Sequence, residues 1–225
     1  MRFPPGPPDL VIFDCDGVLI DSESIACRVD AECLTDAGFA TTADEIRMLY
    51  VGVSAADQFA DIERRHGRAL DAGFADLIHR RLTDAFDREL AAVPGIEAVI
   101  DALPCPSCVA SSSAPERLAH TLGLVGLQRR FAPNIFSASQ VARGKPFPDL
   151  FLFAAERMGA APAGCTVVED SLPGVRAAVA AGMRVVGFTA GSHCLPDHDE
   201  ALRQAGAFAV AADASELAGI LSGRP

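Results

Sequence analysis

Six short apolar runs constrain the fold of this 225-residue chain more than any other feature of its sequence. The first run covers residues 10–14 and stops at a carboxylate. The other five alternate with helical stretches and lie at residues 108–110, 134–137, 165–169, 184–188 and 208–210. Such runs are typical of buried parallel strands, and strands that alternate with helices form a doubly wound, Rossmann-like α/β sheet.

The chain between the first and second runs has a different pattern, in which apolar residues recur at helical spacing. It predicts helices at residues 22–38, 42–50, 54–66 and 71–92, with Ser, Thr or Asp at the N-caps. We therefore expect an α/β core formed by residues 1–19 and 93–225, with an all-helical cap at residues 20–92 inserted after the first strand. An insert at this point lies over the carboxyl ends of the strands, where it can act as a lid.

Charge and composition restrict the partners that this chain can have. Thirty acidic and 19 basic residues give a formal net charge of −11, which repels nucleic acid and anionic membrane surfaces. The N-terminal residues are too rich in proline for a signal peptide, and no apolar run approaches the ~20 residues that span a bilayer. Seven scattered cysteines are typical of free thiols rather than of a disulfide framework. A cytoplasmic protein is predicted, with its oligomeric state left open and a monomer possible.

Two carboxylates, Asp14 and Asp16, follow the first apolar run directly. A calcium loop would need an oxygen ligand where Val18 stands and a bidentate glutamate where Ile25 stands, so that alternative fails. Carboxylates at the end of a strand can bind Mg²⁺, and one of them can attack a phosphoryl group. The second carboxylate can then protonate the leaving oxygen.

Two further sites contain residue types that bind phosphate. Ser111 and Ser112 form a small-residue turn after the second run, where a hydroxyl and backbone N–H groups can hold phosphate oxygens. Lys145 is the single lysine among the 19 basic residues and is flanked by a glycine and two prolines. Its ammonium can hold both an attacking carboxylate and a phosphoryl oxygen, which would otherwise repel each other.

The fourth site is the acidic pair Glu169 and Asp170, at the end of the fourth run. Adjacent buried acids repel each other unless a cation lies among them, which makes both residues candidate metal ligands. All four sites lie at or just beyond the carboxyl ends of predicted strands. A doubly wound sheet brings such ends to a single crevice, so we expect the four sites to form one active site.

The order of these four sites resembles that of the haloacid dehalogenase superfamily of phosphotransferases. In both, an aspartate nucleophile comes first and is followed by a helical insert, a small hydroxyl residue, a lysine and an acidic pair. The resemblance covers nearly the whole chain. It implies that Asp14 attacks phosphorus, and that Asp16 is the general acid and base whose backbone carbonyl also contacts Mg²⁺. It also implies that Ser111 and Lys145 hold the phosphate.

The resemblance extends to the metal and the substrate. It implies that Asp170 is a magnesium ligand, and that Glu169 is either a ligand or an acid next to the ligands. Selectivity in such proteins comes from the cap, where Glu23, Val53 and Ser54 are the candidate substrate contacts. The implied reaction is the Mg²⁺-dependent hydrolysis of a small phosphorylated sugar, sugar acid or polyol through an aspartyl-phosphate.

A sugar-phosphate mutase is the main alternative, since the first motif and the helical cap also resemble the β-phosphoglucomutase branch. That branch has an arginine where Ala55 stands, an asparagine where Pro115 stands and a histidine where Ala26 stands. These departures favour transfer to water, and the core looks closer to the 6-phosphogluconate phosphatase-like branch. A non-enzymatic binding protein is a remote alternative, because some members of such folds have lost their catalytic groups.

Overall fold

The computed structural model describes residues 6–51 and 53–223, which divide into two compact units. The core unit consists of Met1–Asp21 with Ala91–Pro225, and the helical unit of Ser22–Leu90. These boundaries lie about two residues from the ones expected from the sequence. Among the described residues, no helix combines the length and the apolar character that crossing a membrane requires.

The helical unit contains α1 (Glu23–Asp36), α2 (Ala43–Tyr50), α3 (Ala55–His66) and α4 (Phe74–Glu89). Thr42 begins α2 with a capping box, in which its Oγ accepts from the N–H of Glu45 and the Glu45 carboxylate accepts from the N–H of Thr42. The last helix begins later than expected: its N-cap is Gly73 and not Asp71. The described residues of the helical unit form no strand, and they bury an apolar cluster of their own around Leu34, Ile46 and Ile78.

The described residues of the core unit form six strands: β1 (Leu10–Phe13), β2 (Ser107–Ser111), β3 (Ile135–Ser137), β4 (Cys165–Glu169), β5 (Arg184–Phe188) and β6 (Ala209–Ala211). They form one parallel sheet in the order β3-β2-β1-β4-β5-β6. Each strand lies within about one residue of an apolar run, and the predicted α/β fold is confirmed. The strand order reverses at β1, and in such sheets the ligand crevice lies beside the carboxyl ends at this point.

In the part of this unit that the structure describes, seven α-helices accompany the sheet: α5 (Ile96–Asp101), α6 (Pro115–Leu124), α7 (Gln128–Phe131), α8 (Asp149–Met158), α9 (Leu172–Ala180), α10 (His198–Ala205) and α11 (Ala214–Leu221). Leu10 and Ile12 of β1 belong to the apolar cluster that also contains buried residues of α8 and α9. Phe13 contacts Phe131 of α7, with ring centroids 5.9 Å apart. Both faces of β1 are therefore covered, which explains why its sequence is apolar without alternation.

One helix boundary bears directly on the site. α9 begins at Leu172, three residues after β4 ends at Glu169. Ser171 caps this helix, since its Oγ accepts from the N–H of Gly174 over 3.1 Å. The cap residue thus follows the acidic pair at the end of β4 immediately.

Candidate active site

Asp14 follows β1, the strand at which the sheet order reverses. Its N–H donates to the carbonyl of Val168 over 3.0 Å, which fixes the backbone at the end of the strand. Its Oδ1 lies 2.8 Å from Nζ of Lys145, and both side chains are almost fully buried. Lys145 reaches this position from the loop before α8, which is closed by two hydrogen bonds from Arg143 to Asp149.

Lys145 also contacts Glu169, whose Oε1 lies 2.5 Å from Nζ. The other oxygen of Glu169 accepts hydrogen bonds from the N–H and the hydroxyl of Ser171, over 2.7 and 2.9 Å. A Cβ at Gly174 would collide with this carboxylate, so glycine is required at the third position of α9. Both oxygens of Glu169 are thus bound by the protein itself.

The pKa of Lys145 reflects two opposing effects. Burial alone lowers this pKa, but the carboxylates of Asp14 and Glu169 outweigh burial and raise it above the usual value of a lysine. Lys145 therefore remains a cation near neutral pH. Its chemistry is electrostatic, because a general base would need an unprotonated amine.

Three buried carboxylates, of Asp14, Glu169 and Asp170, offer oxygen atoms that lie within 4.8 Å of one another. Burial raises the pKa of Asp14 well above its usual value. The ammonium of Lys145 offsets this effect only in part, and the charges of Glu169 and Asp170 raise the pKa further. Burial and the charge of Glu169 raise the pKa of Asp170 in the same way. Three carboxylates beside one ammonium leave negative charge in a buried site, and oxygen ligands suit a hard divalent cation. The residues present therefore fit a divalent metal ion.

Asp16 contacts the turn after β2. Its Oδ2 accepts from the hydroxyl of Ser113 over 2.8 Å, and its Oδ1 accepts from Nη2 of Arg117 over 2.9 Å. Ser111 is buried at the end of β2 and accepts the N–H of Ser113, whereas Ser112 is exposed in the same turn. Sequence reasoning missed Ser113 and Arg117, although the first completes the serine triplet and the second lies in the first turn of the next helix.

The loop after β5 and the helix that follows it add two residues that sequence reasoning also missed. His193 Nε2 lies 3.0 Å from Oδ2 of Asp170, and His198 Nε2 hydrogen-bonds to the carbonyl oxygen of the same residue. A signal was available in the sequence. Two of the five histidines lie within the ten residues that follow the fifth apolar run, beyond the carboxyl end of a predicted strand.

The candidate substrate residues of the cap belong to the helical unit. Glu23 is the first residue of α1, and Val53 is exposed. Ser54 is the N-cap of α3 and accepts the N–H of Asp57 through its hydroxyl. Gly52, which precedes Val53 in the chain, lies outside the described residues. A role of these residues in substrate selectivity stays a prediction.

Comparisons with known proteins identify the family of this chain. The model of the haloacid dehalogenase-like hydrolase family matches residues 8–182. The 6-phosphogluconate phosphatase of Escherichia coli (strain K12) is 31% identical over 189 residues, which cover 84% of this chain and 86% of that protein. A solved haloacid dehalogenase-like protein of Agrobacterium tumefaciens has a TM-score of 0.88 and 38% identity, and the match covers 95% of this chain and 97% of that one.

A second solved structure is a hydrolase of the same family from Deinococcus radiodurans R1, which contains bound phosphate and sodium. It has a TM-score of 0.83 and 34% identity, and the match covers 96% of each chain. The family model spans most of the chain, and the sequence resemblance is confirmed. This protein belongs to the haloacid dehalogenase-like hydrolases.

Proposed function

We propose that this phosphatase hydrolyses a small phosphorylated sugar, sugar acid or polyol through a phosphoryl group carried on Asp14, with Mg²⁺ as its cofactor. The observation that carries the proposal is the buried contact between Asp14 Oδ1 and Lys145 Nζ beside two further carboxylates. The ammonium holds the position of the attacking carboxylate and can also stabilise the charge of an incoming phosphoryl group.

In the first step, a carboxylate oxygen of Asp14 attacks phosphorus and the bond to the leaving oxygen breaks. Asp16 donates a proton to that oxygen. Lys145, the hydroxyl of Ser111 and the backbone N–H of Ser112 stabilise the phosphoryl oxygens. In the second step, Asp16 accepts a proton from water, the water oxygen attacks phosphorus and the bond from Asp14 to phosphorus breaks. Phosphate and the free Asp14 carboxylate result.

The metal ligands that we propose are the carboxylates of Asp14 and Asp170 and the backbone carbonyl of Asp16. When bound, Mg²⁺ supplies positive charge to the phosphoryl oxygens and to the surrounding carboxylates. Glu169 orients Lys145 instead of binding the metal, because its two oxygens accept hydrogen bonds from Lys145 and Ser171.

Arg117 and Ser113 prepare Asp16 for its part in the reaction. The guanidinium of Arg117 donates to Oδ1 of Asp16 over 2.9 Å, so its positive charge lies next to the carboxylate that remains once Asp16 has given its proton to the leaving oxygen. The hydroxyl of Ser113 binds the other carboxylate oxygen and so fixes the orientation of the side chain. These two residues thus act on the general acid and base, and not on the nucleophile.

The substrate class rests on the relative from E. coli, whose name states that it acts on 6-phosphogluconate. Selectivity would come from Glu23, Val53 and Ser54. Ala55 begins α3 at the position where the mutase-like branch has an arginine, and its methyl group has no atom that could bind a second phosphate. Hydrolysis is therefore favoured over mutase activity. The cytoplasmic location stays a prediction.

The test is phosphate release from a panel of sugar phosphates, sugar-acid phosphates and polyol phosphates, with Mg²⁺ and with EDTA. We expect the wild type to release phosphate only with Mg²⁺, and Asp14→Asn to release none above background, because an amide is not a nucleophile for phosphorus. Asp76→Asn, which changes an exposed carboxylate in the first turn of α4, is the matched control and should behave as the wild type.

Two outcomes would contradict the proposal. Release that continues in Asp14→Asn would exclude Asp14 as the nucleophile. If the wild type instead converted a sugar 1-phosphate to the 6-phosphate in the presence of a bisphosphate primer, without net release of phosphate, the enzyme would be a mutase.

A further inference from the structure

The loop after β5 and the start of α10 each direct one imidazole at Asp170. His193 is only 3% exposed, and its Nε2 lies 3.0 Å from Oδ2 of Asp170. His198 is the first residue of α10, and its Nε2 contacts the main-chain oxygen of Asp170. Because a carbonyl oxygen only accepts hydrogen bonds, Nε2 of His198 carries the hydrogen. An ionised Asp170 carboxylate also only accepts hydrogen bonds, so Nε2 of His193 carries a hydrogen when it binds that carboxylate.

The ring of His193 lies in a narrow space that leaves no room for a side chain at either of two neighbouring glycines. A Cβ at Gly17 would collide with Oδ2 of Asp170 and lie 2.8 Å from Cε1 of His193. A Cβ at Gly191 would lie 2.8 Å from the same ring and 2.9 Å from the carbonyl oxygen of Gly17. Two glycines, in two different loops, thus form the slot that His193 fills.

A further contact fastens this loop to the segment that follows the first motif. The N–H and the hydroxyl of Ser192 both donate to Oδ1 of Asp21, over 3.0 and 2.9 Å. The neighbouring His193 is therefore held between two anchored points, Ser192 on one side and the start of α10 on the other. A ring held in this way can hold its own hydrogen-bond partner in one orientation.

We propose that His193 is a positioning residue that fixes the carboxylate of Asp170 for binding a divalent metal, while His198 fixes its backbone. The inference rests on the proposed function. With one carboxylate oxygen bound to an imidazole N–H, Asp170 has the other oxygen for the metal and loses little rotational freedom on binding it. Partners of this kind orient metal ligands and typically change metal affinity 10- to 100-fold when removed.

The experiment measures Mn²⁺ binding to the protein without substrate, by the electron paramagnetic resonance signal of free Mn²⁺. His193→Phe keeps a ring of similar size but removes the N–H, whereas His193→Gln places an amide N–H near the original donor. His79→Phe makes the same exchange at an exposed histidine of α4 and is the matched control. The Mg²⁺ concentration for half-maximal phosphate release, and KM at saturating Mg²⁺, are measured for the same variants.

We expect Mn²⁺ affinity to fall about 10- to 100-fold in His193→Phe and to be largely restored in His193→Gln. KM at saturating Mg²⁺ should be unchanged, because His193 acts on a metal ligand and not on the substrate. If His193→Phe does not fold, His193→Asn, whose amide is one methylene shorter and does not reach Asp170, takes its place.

Two results would overturn the inference: wild-type Mn²⁺ affinity in His193→Phe, or an equal loss in His193→Phe and His193→Gln that follows their melting temperatures. The failure of the proposed function looks different. In that case the wild type releases no phosphate from any ester, while Mn²⁺ affinity still depends on the N–H at position 193.

Discussion

Replacing Lys145 with methionine is expected to destabilise the metal-free protein, and more strongly at high pH than at low pH. Lys145 Nζ lies 2.8 Å from Asp14 Oδ1 and 2.5 Å from Glu169 Oε1, and at most 10% of either carboxylate side chain is exposed. At an effective dielectric constant of about 20, each pair contributes roughly 6 kcal/mol before the cost of desolvation is counted. Methionine retains most of the packing but leaves both carboxylates without their cation.

Proton uptake limits the loss of stability, because one carboxyl group in the variant can protonate. A carboxyl group has a pKa of about 3.9 in the unfolded chain. Keeping it protonated in the folded variant therefore costs about 5.6 kcal/mol of stability near pH ~8 and about 2.2 kcal/mol near pH ~5.5. The pKa of Asp14 is already raised by burial in the wild type, and removal of Lys145 raises it further. A carboxyl group with a raised folded pKa contributes stability at low pH, which is lost as the pH rises through that folded pKa.

The free energy of unfolding should therefore fall by about 3–5 kcal/mol near pH ~8 and by about 2 kcal/mol or less near pH ~5.5. Urea unfolding in EDTA, followed by circular dichroism because the chain contains no tryptophan, measures both values. Arg176→Met removes a positive charge from an exposed position of α9 and is the control. A loss in Lys145→Met that equals the control, or that is the same at both pH values, would refute the reasoning.

Three further expectations concern the surroundings of the site. Gly174→Ala places a methyl group against the carboxylate of Glu169 and should lower both the melting temperature and the rate of phosphate release. Gly219→Ala in α11 is the comparison, because no atom lies within 4 Å of its new Cβ. It should stabilise the fold by roughly 0.5–1 kcal/mol. Equal melting temperatures of the two variants would contradict the steric argument. Arg117→Leu should lower kcat about 10-fold or more, because Asp16 loses its cation, and an unchanged kcat would exclude this role. Mg²⁺ at about one hundred times its Kd should raise the free energy of unfolding by about 2.7 kcal/mol, and a melting temperature that is the same in Mg²⁺ and EDTA would contradict the metal site.

The positions of the strands and of the residues that follow them were accessible from local patterns. A parallel strand covered on both faces has to be apolar along its whole length, so β1 and β4 could be recognised without knowledge of their neighbours. Asp14 and Glu169 stood out because each ends such a run at the edge of the sheet where ligands bind. Lys145 stood out by composition, and the structure brings its ammonium into contact with both carboxylates.

Only the tertiary structure decided how the side chains of the site pair. Asp16 contacts Ser113 and Arg117, which are 97 and 101 residues away in the chain, and the partners of Asp170 come from the loop after β5. The strand order places β2 and β4 on either side of β1, so loops distant in sequence meet at its carboxyl end. Local periodicity determines whether a segment is a strand or a helix, but strand order and loop conformation depend on how all the elements pack together. Hydrogen bonds between the loops follow from that packing, which is why residue types and spacing indicated the chemistry and the fold supplied the partners.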